Sequence, residues 1–136
     1  MKIFIVCSKH FYHLVPPIKE ALEKDGHVIT VPNTYEEPFK EEEMKKIGKE
    51  EHRIWKAGMI NLSLEKIKNN DAVLVLNFEK NVQKNYIGGA TFLEIFIAFD
   101  LGKKIFLYNP IPQNIFEDEL MGIGPVIIKG DLSLVL

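Results

Sequence analysis

Short apolar runs alternate along the chain with longer segments that have helical spacing. Five of these runs are rich in Val, Ile, Leu or Phe and predict buried strands, at residues 2–7, 27–31, 71–77, 105–108 and 126–128. Strands that alternate with helices indicate an α/β domain with a mostly parallel sheet. Because crossovers between parallel strands are right-handed, we expect one three-layer, doubly wound domain over residues 1–136, with strand order 2-1-3-4-5.

Three segments between the runs carry helical patterns. Residues 15–24 place apolar side chains on one face. Residues 38–70 are highly charged, and Gly48 and Gly58 predict two or three helical pieces there. Residues 90–101 are apolar nearly all round, which predicts a helix covered by the sheet on one side and by a second subunit on another. We therefore expect a homodimer or a larger homo-oligomer.

Composition and charge exclude several classes of function. The net charge of −2 gives no electrostatic basis for binding nucleic acid. No apolar run approaches the ~20 residues of a membrane span, so no membrane partner is expected. Cys7 is the only cysteine, and the first residues lack the pattern of a signal peptide. We expect a cytoplasmic protein without disulfides.

Glu94 is the best candidate for chemistry. It follows Gly88 and Gly89 in the loop and helix between two predicted strands, and ligands of such βαβ units bind beside the helix N-terminus. A carboxylate there would be kept ionised and nucleophilic by the helix dipole. The spacing from Thr91 to Glu94 is equally typical of a capping box, which needs no catalysis.

Other candidates follow the first and third predicted strands. Ser8, His10 and Tyr12 lie in the first of these loops and are predicted to line a ligand cleft. Asn77 ends the third strand, where it suits either a hydrogen bond to substrate or an Asx turn. Tyr86 suits stacking on a ring or packing in the core.

Metal ligation is a weaker interpretation of the first loop. Cys7, His10 and His13 have a ligand-like spacing, but a zinc site needs a further ligand. The only other histidines, His27 and His52, form no clear motif with them. We therefore expect no metal and no redox cofactor.

The residues from 67 to 112 carry a resemblance to a known family. The apolar strand over 71–77, the run Gly88-Gly89-Ala90-Thr91 with Glu94, and the following Gly102-Lys103-Lys104-Ile105 resemble the nucleoside 2-deoxyribosyltransferase-like superfamily. That group includes the transferases and the deoxynucleoside 5′-monophosphate N-glycosidases. The resemblance implies a flavodoxin-like fold, a dimer or larger assembly, and Glu94 as the nucleophile on C1′ of the sugar. From their positions in the loops around this unit, we expect substrate contacts from Ser8, His10, Tyr12, Asn77, Tyr86, Gly88, Gly89 and Thr91.

The same segment is similar to a second motif of related chemistry. Gly88-Gly89 with Thr91 and Glu94 looks like a contracted form of the motif of lysine-decarboxylase-like phosphoribohydrolases. Both resemblances imply cleavage of an N-glycosidic bond in a nucleoside or nucleoside monophosphate. The alternatives are a catalytically silent nucleotide-binding or interaction module of this fold, and a flavodoxin-like FMN protein. The lack of a Ser/Thr-rich loop after the first strand disfavours FMN.

Overall fold

A computed structural model describes all 136 residues, and its centre is a sheet of five parallel strands. The strand order is β2-β1-β3-β4-β5, as the sequence predicted. The strands are β1 (Lys2–Val6), β2 (Val28–Thr30), β3 (Ala72–Val75), β4 (Lys104–Leu107) and β5 (Val126–Ile127).

Helices cover both faces of the sheet. The helices are α1 (Val15–Lys24), α2 (Lys40–Ile47), α3 (Lys49–Lys68), α4 (Gly89–Asp100) and α5 (Glu117–Ile123). Short 3-10 helices lie at Lys9–Leu14 and Leu132–Leu134. The prediction of a three-layer, doubly wound, flavodoxin-like α/β domain is confirmed.

The layers follow from the two-residue period of the strands. In β1, Ile3 and Ile5 pack in one core with α1, while Phe4 and Val6 pack in the other with α3, α4 and α5. All four side chains are buried, because the central strand is covered on both faces. The two cores therefore determine which helices pack on each face of the sheet.

Gly48 divides the charged segment into two helices. Its extended backbone ends α2 and precedes α3, whereas Gly58 lies inside α3 and does not interrupt it. The charged segment thus forms two helices, within the two or three helical pieces that the sequence predicted. The first turn of α2 contains three acidic residues and its last turn contains two lysines, in the order that the helix dipole favours.

The outer face of α4 remains apolar. Leu93, Phe96 and Phe99 are each about half exposed, although the opposite face of the helix is buried against β3 and β4. Exposed apolar side chains that lie together on one face are a feature of interaction surfaces. No helix combines the length and the apolar character that crossing a bilayer requires.

Candidate functional site

A cleft of about 730 Å³ opens at the carboxyl ends of β1 and β3. The strand order reverses between β1 and β3, because the connections run from there to opposite edges of the sheet. Doubly wound folds usually bind their ligands at this switch point. The loops after β1, β2 and β3 form its rim, and α2, α3 and α4 form its walls. Its volume lies within the range of small-molecule sites.

Glu94 lies in the second turn of α4 and lines the cleft. Ser63 of α3 donates a hydrogen bond from its Oγ to Glu94 Oε2, over 2.9 Å. Oε1 has no hydrogen-bond partner in the protein, and it is not fully buried. One carboxylate oxygen is therefore held by the protein and the other is open to the cleft.

Burial raises the pKa of Glu94 to about 7, although the hydrogen bond from Ser63 and the charges of Lys66 and Lys56 lower it. Burial thus outweighs the effect of the helix dipole, which we expected to keep Glu94 ionised. The dipole acts mainly within the first turn, and Glu94 lies beyond it in a desolvated position. Near pH 7 the carboxyl group exchanges readily between its two charge states.

The capping-box alternative for Glu94 is also wrong. α4 begins one turn earlier than that interpretation needs, with Gly88 as the N-cap and no side-chain cap. Thr91 is inside the first turn, where it is buried and lines the cleft. Because the Glu94 carboxylate is hydrogen-bonded to Ser63 of α3, it does not fold back onto a cap.

Two residues beside Glu94 were missed by the sequence analysis. Ser63 is buried in α3, and Asn33, in the loop after β2, donates from Nδ2 to Ser63 Oγ over 2.8 Å. The same Nδ2 donates to the carbonyl of Met59 over 3.0 Å. A serine four residues from Met59 and from Ile67, on the helical face that turns inward, was the only signal in the sequence.

The loop after β1 supplies the expected cleft residues. Ser8, His10 and Tyr12 all line the cleft, and the Tyr12 hydroxyl is 2.7 Å from Thr34 Oγ1. Burial is the main cause that raises the pKa of Tyr12, so this phenol keeps its proton at neutral pH. Partial burial, with the charges of Lys80 and Lys9, lowers the pKa of His10 and favours its neutral form.

The loop before α4 also reaches the cleft. Tyr86, Gly88 and Gly89 line it, and Lys80 Nζ lies 4.5 Å from the centre of the Tyr86 ring. A Cβ atom on Gly88 would lie 3.1 Å from the Tyr86 hydroxyl, so a side chain at this position would require Tyr86 to shift slightly. The first and third loops thus meet at one edge of the sheet, as the sequence predicted.

Asn77 is placed differently from the other candidates. It is fully buried and does not line the cleft. Its Nδ2 donates to the carbonyls of Asn109 and Pro110, at 2.9 and 3.0 Å, and its Oδ1 accepts from Asn109 N at 2.8 Å. The amide therefore joins the chain after β3 to the chain after β4. The segment 109–113, which follows β4 at the same edge of the sheet, contributes nothing to the lining of the cleft.

One wall of the cleft is formed by α2 and the start of α3. The carboxylates of Glu41 and Glu42 line this wall and pair with Lys56 and Lys9, respectively. Although burial opposes the shift, hydrogen bonds from His52 and Lys56 lower the pKa of Glu41. Two lysines of the cleft are thus already neutralised by the protein itself.

Trp55 lines the cleft and stacks against His52 with a ring-centre distance of 6.2 Å. Together with Tyr12 and Tyr86, it offers aromatic surface for a flat ligand ring.

The metal interpretation of the first loop has no geometric support. Cys7 is buried, and burial, followed by the charge of Glu94, raises the pKa of its thiol to about 12. No three His, Cys, Asp or Glu side chains are grouped so that they could hold a metal ion.

Comparison with known proteins was negative in two respects. No protein-family model matches the chain, and no curated protein matches it either.

Proposed function

We propose that the protein cleaves the N-glycosidic bond of a nucleoside or nucleoside monophosphate, as a hydrolase or a 2-deoxyribosyltransferase, with Glu94 as the nucleophile. The observation that carries this proposal is the open Oε1 of Glu94 in a cleft at the switch point of the sheet. The resemblance of residues 67–112 to the deoxyribosyltransferase-like superfamily supports the same chemistry.

The proposed reaction has two steps. Glu94 Oε1 attacks C1′ of the sugar, the bond from C1′ to the base nitrogen breaks, and the base leaves with a proton from a general acid. Water or a second base then attacks C1′, the bond from C1′ to Oε1 breaks, and the attacking group gives its proton to the conjugate base of the general acid, so that the carboxylate is regenerated. In the first step the carboxylate must be ionised, and a carboxyl group with a pKa of about 7 has a large ionised fraction at neutral pH.

The cleft also suits the other parts of such a substrate. The aromatic side chains of Tyr12, Trp55 and Tyr86 provide surface for a base. The backbone at Gly89, at the start of α4, leaves room for a sugar or phosphate to approach. No redox cofactor or metal is part of the proposal.

The first prediction is that the purified protein releases free base from members of a panel of ribo- and deoxynucleosides and their 5′-monophosphates. Chromatography of the products measures the release. Release from monophosphates alone indicates a hydrolase, and exchange that needs a second free base indicates a transferase. Binding of panel members without any release would support the alternative of a silent nucleotide-binding module and contradict the proposed activity.

We further propose that the protein works in the cytoplasm as a homodimer or larger assembly. The half-exposed side chains of Leu93, Phe96 and Phe99 support the assembly, and the single buried cysteine suits a reducing compartment. Sedimentation at micromolar concentration should give at least twice the monomer mass of 15.6 kDa. A monomer under these conditions would contradict the assembly.

A further inference from the structure

Ser63 makes the only hydrogen bond from the protein to the Glu94 carboxylate. A serine hydroxyl has one proton and two lone pairs, so it can bind a carboxylate as donor while it accepts elsewhere. In this site it does both, because Ser63 Oγ donates to Glu94 Oε2 at 2.9 Å and accepts from Asn33 Nδ2 at 2.8 Å. The three side chains come from α3, α4 and the loop after β2.

The direction of this chain of hydrogen bonds is fixed by Asn33. Its Nδ2 also donates to the carbonyl of Met59, at 3.0 Å, and a backbone carbonyl can only accept. If the Asn33 amide were rotated by 180°, its Oδ1 would face the carbonyl oxygen of Met59, and two acceptors would lie against each other. Because the amide nitrogen is the donor to Ser63, the Ser63 proton is directed toward Glu94.

We infer that Asn33 and Ser63 form a positioning relay that holds Oε2 of Glu94 and presents Oε1 alone to the cleft. Ser63 and Asn33 line the cleft beside Glu94, and the relay depends on the proposed function only in making Oε1 the attacking oxygen. A held carboxylate reaches the reactive geometry with little loss of side-chain freedom, which is how supporting residues raise rates. The hydrogen bond also favours the ionised form that the attack requires.

The relay is tested by titrating Glu94 in wild-type protein and in the variants Ser63→Ala, Asn33→Ala and the double variant. The readout is the ¹³C signal of the Glu94 carboxyl group, assigned by its loss in Glu94→Gln. Alanine is a strong helix former, so Ser63→Ala should keep α3 intact. Where turnover is found, the acid limb of the pH profile of kcat/KM gives a second readout.

We expect Ser63→Ala to move the titration midpoint of Glu94 upward, by about one pH unit from the wild-type value near 7. Asn33→Ala should move it in the same direction by less, because Ser63 can still donate. The double variant should match Ser63→Ala, since Asn33 acts through Ser63. The control is Ser133→Ala, which removes a surface bond of 2.6 Å from a serine to Asp131 and should leave the midpoint unchanged.

The relay would be overturned if the titration midpoint of Glu94 in Ser63→Ala equalled the wild-type midpoint. It would also be overturned if the shift in the double variant equalled the sum of the two single shifts. The carboxyl titration does not need turnover. If the substrate panel shows no base release but the midpoint shifts as described, the proposed function fails while the relay stands. If base is released but Glu94 in Ser63→Ala titrates as in the wild type, the relay fails while the proposed function stands.

Discussion

Glu94→Gln should lower base release by at least ~10³-fold while it leaves the fold and most of the ligand affinity intact. A glutamine amide has the shape of the carboxyl group and still accepts the hydrogen bond from Ser63, but its oxygen is a poor nucleophile. Single-turnover measurements on the best substrate of the panel would test this. Equal rates for the variant and the wild type would refute Glu94 as the nucleophile.

The same variant should change how stability depends on pH. The pKa of Glu94 rises from its usual 4.5 to about 7 in the native protein, mainly through burial. Between these values the native state keeps a proton that the unfolded chain has released. The free energy of unfolding of the wild type therefore loses about 3 kcal/mol as pH rises through this window.

Glutamine cannot ionise, so Glu94→Gln should lack this loss. Urea unfolding at pH 5 and pH 8 should show the variant gaining stability relative to the wild type at the higher pH. Glu65→Gln is the matched control, because Glu65 is an exposed glutamate on α3 and should show no such difference. If the free energy of unfolding of the variant changed between pH 5 and pH 8 by as much as that of the wild type, Glu94 would not be desolvated.

Asn77→Asp should destabilise the protein by about 3–5 kcal/mol at pH 7. The aspartate keeps the acceptor for Asn109 N but loses both donated bonds, so two carbonyl oxygens face a buried negative charge. Burial should raise the pKa of the new carboxyl group. The loss should therefore be full above that raised pKa and should shrink as pH falls through it.

Thermal or urea unfolding at pH 4.5 and pH 7 measures this effect. Asn114→Asp provides the control, because Asn114 is exposed and uses only its Oδ1, as acceptor for Phe116 N. The control should be nearly neutral at both pH values. A small, pH-independent effect of Asn77→Asp would show that the bonds to Asn109 and Pro110 contribute little to stability.

The sequence predicted the sheet well because its signals are local. The five strands are apolar runs that any buried parallel strand requires, and their alternation with helices leaves few topologies. Gly88 and Glu94 were placed correctly because both belong to a single strand-loop-helix unit. Within such a unit, distance along the chain translates directly into position.

The rest of the site could not be predicted because it depends on contacts between distant segments. Ser63 and Asn33 are thirty positions apart, and nothing in their neighbours indicates that they meet beside Glu94. Asn77 had two interpretations from sequence, and only its pairing with Asn109, 32 positions later, supports a structural role. The raised pKa of Glu94 likewise arises from burial by other helices, which outweighs the local dipole.

The way α2 is attached has a consequence for motion. This helix buries no residue, and ion pairs of Glu42 with Lys9 and of Glu41 with Lys56 and His52 help to hold it at the cleft. Ion pairs near the surface weaken as ionic strength rises, whereas the apolar contacts of α3 and α4 do not. Salt should therefore loosen one wall of the cleft selectively. The amides of α2 should exchange with solvent before those of the sheet, so that entry to the cleft is governed by local opening and not by unfolding of the domain.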